Sequence, residues 1–147
     1  NGGHRLDSAR LVPTRTQKES AMLRKFVWIT GFLDILIGLG VWTQPLTNPE
    51  QGTFVSFMTL GAFLMFAGAA LMWSSKDIAV RAPVIFWQGL VRLTAVISIL
   101  YGVPKGLATP YEYGVAAFDG VISLTYILGT MKFTGASAFK LFMGKTQ

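Results

Sequence analysis

The sequence has no cysteine and a single histidine among its 147 residues, and only 14% of it is charged. Without cysteine there can be no disulfide, iron–sulfur cluster or thiolate nucleophile. His4 lies in a polar N-terminal stretch, which removes imidazole ligation of a metal or tetrapyrrole from the apolar part of the chain. Acids are scarce, with seven Asp and Glu against thirteen Lys and Arg. No glycine-rich phosphate loop, nucleophile elbow or paired-histidine zinc motif occurs. An intramembrane enzyme therefore lacks a set of acid, base and nucleophile, and no catalytic residue is assigned.

Hydrophobicity is what the chain has in abundance. It is 52% apolar, 13% aromatic and has a mean hydropathy of +0.49, too apolar for a soluble domain of this size. Four runs of membrane-crossing length, at about 26–44, 53–74, 83–103 and 113–131, predict an all-α four-helix transmembrane bundle with short loops. Trp28 and Trp42 stand near the two ends of the first run, as interfacial anchors should. That run is predicted to stop at Pro45, and Pro83 is predicted in the first turn of the third helix.

Flanking segments complete the organisation. Residues 1–25 form a basic polar tail without an apolar h-region, read as a cytoplasmic tail, with the remnant of an organellar presequence as the alternative. Residues 132–147 mix Phe133, Phe139, Leu141, Phe142 and Met143 with three lysines, and are expected to lie in the membrane surface as an amphipathic piece. With the N-terminus inside, eleven basic residues fall in inner segments and only Lys105 in an outer loop. This positive-inside bias predicts both termini on the inner side. The pI near 9.9 is thereby explained by topology, and no nucleic-acid partner is expected. A bacterial inner membrane is the expected location, with the mitochondrial inner or thylakoid membrane as alternatives.

Three charges do not fit a lipid-facing helix. Arg92 sits near the middle of APVIFWQGLVRLTAVISILYGV, and Asp34 and Asp119 are the only acids inside apolar runs. A charge at bilayer depth costs several kcal/mol unless it faces protein or trapped water, so these three should meet. At the helical rise per residue, Asp34 and Arg92 lie about 12 and 14 Å from the inner ends of their helices and Asp119 about 20 Å, within reach of a long arginine side chain. Helical spacing adds Gln88 on the Arg92 face, and Ser123 and Tyr126 on the Asp119 face, to this expected polar network. Such a cluster either fixes which helices face one another or forms a proton or substrate site, because three charged groups would leave a net charge of minus one in low dielectric.

The remaining candidates concern packing and surface. Gly31, Gly38, Gly61, Gly68 and Gly120 are expected at helix contacts rather than at a ligand. Arg10, Arg15, Lys18, Arg24 and Lys25 are expected at anionic headgroups or an acidic partner. No metal or cofactor is predicted, although contact with a bound lipid, quinone or pigment is compatible with the apolar spans.

The texture of GAFLMFAGAALMWSSKD and RAPVIFWQGLVRL, within four short-looped spans over about 26–131, resembles the small bacterial four-helix membrane proteins of the DoxX-like type. Some of these accompany quinone-linked oxidoreductases, so the resemblance implies an accessory role but carries over no functional residue. The reading that follows is a non-catalytic subunit that anchors or stabilises a larger respiratory or photosynthetic membrane complex, with other integral membrane proteins and the bilayer as partners. The alternative is a small proton-linked transporter built on Asp34, Arg92 and Asp119.

Overall fold

A computed structural model describes residues 15–146, with side chains from Lys18 onward. Among these residues the chain is helical throughout its ordered elements: α1 (Arg15–Thr47), α2 (Phe54–Ser74), α3 (Ile78–Gly102), a 3-10 turn (Val103–Lys105), α4 (Glu112–Thr134) and α5 (Ala138–Phe142). The first four helices are each long and apolar enough to cross a membrane. α1, with 33 residues, is about 50 Å long by its rise, so its first turns extend well beyond a hydrocarbon core of about 30 Å.

The bundle consists of two antiparallel hairpins, α1 with α2 and α3 with α4, each closely packed along its length, while the hairpins meet one another sparsely. Glycine explains the first hairpin. A Cβ added to Gly31 would lie 2.8 Å from the Gly68 carbonyl oxygen, and one added to Gly38 would lie 2.8 Å from that of Gly61. Each pair is seven residues apart on its own helix, so one constant stagger brings both pairs into register and lets the backbones touch. In the second hairpin Gly89 plays this part alone, against Tyr126 and Ile127.

Contact between hairpins is concentrated toward the end at which α1 begins and α4 finishes, the termini end of the described chain. There Val27, Leu71, Ile78, Ile85, Ile122 and Tyr126 form a buried cluster drawn from all four long helices. A second cluster, Ala82, Phe86, Ala136 and Leu141, seals the same end of α3. Most large apolar side chains elsewhere point outward, among them Phe66 at 75% and Val55 at 72% exposure. A surface of this kind is stable against lipid tails or neighbouring helices, not against water.

Three boundaries differ from the sequence-based expectation. α1 does not end at Pro45 but runs through it to Thr47, because in the last turn the proline forfeits a single backbone bond. α3 begins at Ile78, so Pro83 lies inside the helix; the carbonyl it frees is that of Ala79, which is exposed near the helix start. α4 continues three residues beyond Met131, to Thr134. The C-terminal segment docks on the bundle through one buried side chain. Gly135, at φ +69°, terminates α4 in a left-handed cap and the chain turns back, so that α5 buries Leu141 against α3 and the Trp87 indole donates to the Phe142 carbonyl at 3.0 Å.

Candidate functional site: an ionic triad between helices

Arg92, Asp34 and Asp119 come together. The two terminal guanidinium nitrogens diverge: Nη1 donates to Asp119 Oδ1 on the neighbouring α4, and Nη2 donates to Asp34 Oδ1 on α1. The side chains are 14%, 15% and 6% exposed for Arg92, Asp119 and Asp34 respectively, so Asp34 is the most enclosed member. A planar guanidinium with fixed, diverging donors serves two carboxylates on different helices, a geometry the single ammonium of lysine does not reproduce. The bond to Asp119 closes the α3–α4 hairpin; the bond to Asp34 crosses between hairpins.

One turn from Asp34 toward the termini, a neutral pair supports the same seam. Thr30 Oγ1 donates to the Phe26 carbonyl at 2.8 Å and so is left to accept the hydroxyl of Tyr126. Tyr126 is fully buried, with Phe26 meeting its ring edge-on at 6.0 Å. Ser123 points elsewhere, donating to the Gly89 carbonyl at 2.8 Å and thereby fastening α4 to α3 at its closest approach. At the termini end, Lys132 and Glu19 add an ion pair of 2.9 Å between α4 and α1.

One expected network member and one expected packing glycine behave differently from the rest. Gln88 is half-buried but makes no hydrogen bond among the described residues, because its place one turn before Arg92 does not bring its amide to either aspartate. Gly120 is no packing glycine: a Cβ there would meet nothing within 4 Å, since it stands beside Asp119 rather than on the face α4 turns to α3. Gly31, Gly38, Gly61 and Gly68 do lie at helix crossings. Thr30 and Gly89 also carry the seam and the α3–α4 contact, and nothing in their sequence spacing identifies the partners they find.

Of the basic candidates, Lys18, Arg24 and Lys25 are exposed at the termini end. Arg10 and the side chain of Arg15 lie outside the described residues. Among the described residues no group of three or more His, Cys, Asp or Glu is placed to hold a metal ion. The triad can therefore do two things chemically: hold helices together by charge-assisted hydrogen bonds, or exchange a proton on one of two carboxylates that share a single cation. No family model matches the chain, and no match is found among curated proteins or solved structures.

Proposed function

We propose that the chain is a non-catalytic integral membrane subunit that anchors or stabilises a larger membrane complex of respiratory or photosynthetic type. The observation that supports this best is how polarity is distributed: Arg92, Asp34, Asp119, Thr30, Tyr126 and Ser123 are engaged with one another or with backbone, while the outward face is built of large apolar side chains. Polar groups used in this way specify helix partners and leave the outside free for lipid and neighbouring spans. A bacterial inner membrane suits the basic termini, with the mitochondrial inner and thylakoid membranes as alternatives.

The test is isolation from native membranes in mild detergent, followed by native electrophoresis and mass spectrometry of what co-migrates. Co-migration with a much larger complex, together with no uptake by the pure protein in liposomes, is the expected result. A homo-oligomer free of any other protein would overturn the reading.

A second reading, a proton-linked carrier, draws on the triad's two acids for one cation and on the greater exposure of Asp119. It requires proton-coupled uptake by the pure protein that Asp119→Asn abolishes.

A further inference from the structure

We propose that the groove between α1 and α2 at the termini end is a specific site for one anionic phospholipid, which sits with its phosphodiester among Arg24, Lys25 and Lys76 and its acyl chains along Trp28 and Ile29. The groove encloses about 630 Å³ and is lined by these five residues and Ser75. Three of the six are cations and none is an acid. Among the described residues none of the three cations has a carboxylate partner, in contrast to Lys132, which is paired with Glu19, and to Arg81, which is turned over the Trp73 ring at 3.7 Å and donates to the Trp73 carbonyl. The positive charge in the groove is therefore paired with no acid among the described residues.

The apolar wall is matched to a lipid rather than to a soluble anion. Trp28 and Ile29 are 45% and 52% exposed, and the Trp28 ring stacks on Phe32 with centroids 5.8 Å apart, continuing the wall a turn deeper into the span. The indole N–H of Trp28 makes no hydrogen bond among the described residues, which leaves it available for a glycerol or ester oxygen. Positive charge at the headgroup level, an interfacial indole below it and aliphatic surface beneath that reproduce the order of groups in a phospholipid. Two helices contribute: Arg24 and Lys25 come from α1, whereas Lys76 follows the end of α2. A bound lipid would tie together the open end of the first hairpin.

Native mass spectrometry of the purified full chain, titrated with phosphatidylglycerol and separately with phosphatidylcholine of the same acyl length, tests this. The expected result is one phosphatidylglycerol retained in preference to phosphatidylcholine. Each cation is worth about fivefold near anionic headgroups, so the triple variant Arg24→Gln/Lys25→Gln/Lys76→Gln should lose the preference by on the order of 100-fold. A variant with the same charge loss elsewhere, Lys132→Gln/Lys140→Gln/Lys145→Gln, should retain it. Trp28→Ala should weaken retention of both lipids while preserving the preference between them. Equal retention of the two lipids by the wild-type chain overturns the proposal, as does an equal loss in both triple variants, which would mean diffuse attraction. Glycerol phosphate binding as tightly as the lipid would show an anion site with no acyl component, and would equally overturn it.

Discussion

Tyr126 on α4 and Thr30 on α1 are joined hydroxyl to hydroxyl across the seam between the two hairpins, one turn from the point where Arg92 reaches Asp34. The seam is thus polar at two successive levels, ionic at one and neutral at the other. Since Thr30 keeps its own bond to the Phe26 carbonyl, Tyr126→Phe strands no donor and should cost only about 0.5–1.5 kcal/mol. Tyr126→Ala, by contrast, empties a fully buried site and should cost about 3–5 kcal/mol. Thermal unfolding in detergent separates the two; equal losses would mean that the hydroxyl, not the ring, carries the stability.

Arg92→Leu is a different kind of change because it leaves two carboxylates without their cation. Breaking a buried ion pair from one side typically costs about 3–5 kcal/mol, and that is the expected destabilisation. Adding Asp34→Asn should recover part of it, and adding Asp119→Asn as well should recover most, because both aspartates are bonded to the arginine. An unchanged melting temperature for Arg92→Leu would show that the triad does not hold the hairpins together.

Glycine substitutions should divide by position. At Gly31 a Cβ would come within 2.8 Å of the Gly68 carbonyl and 2.9 Å of Leu71 Cβ, so Gly31→Ala must push the helices apart and should cost about 1–3 kcal/mol. Gly120→Ala meets nothing and should be neutral or stabilising by up to about 1 kcal/mol, through helix propensity alone. The same unfolding assay reads both, and a loss at Gly120 equal to that at Gly31 would refute the assignment.

The absence of native cysteine makes topology directly measurable. Leu107→Cys, in the exposed turn between α3 and α4, should react with an impermeant maleimide added to intact cells, and Lys76→Cys should react only after permeabilisation. The opposite pattern would reverse the orientation inferred from the basic residues.

The triad was legible in the sequence because charge inside an apolar run has few solutions, and because helical rise places Asp34 and Arg92 at one depth. The seven-residue spacing of Gly31 and Gly38, and of Gly61 and Gly68, marked two small faces, but that they face each other at one stagger is a property of the folded hairpin. A proline marks the first turn of many helices, which points to Pro83 as the start of α3, but the apolar face made by Ile78, Ala82, Ile85 and Phe86 has helical period and begins five residues earlier. α5 is five residues long, too short to display any period. Its docking depends on the Gly135 turn and on Leu141, which in the sequence is one of five apolar side chains of equal claim.

The cross-hairpin bond also has an order in time. Asp34 is synthesised 58 residues ahead of Arg92, about 3–12 s at roughly 5–20 residues per second, and about 1–4 s of that interval follows the end of α2. If the helices span a bilayer, the carboxyl group is protonated during that interval or sheltered by water or another protein. The second hairpin then arrives as the half that completes the circuit, with Asp119 following the arginine after a further 27 residues. A chain that stops between α2 and α3 therefore holds Asp34 without its cation, and the arginine supplies the bond that joins the second hairpin to the first.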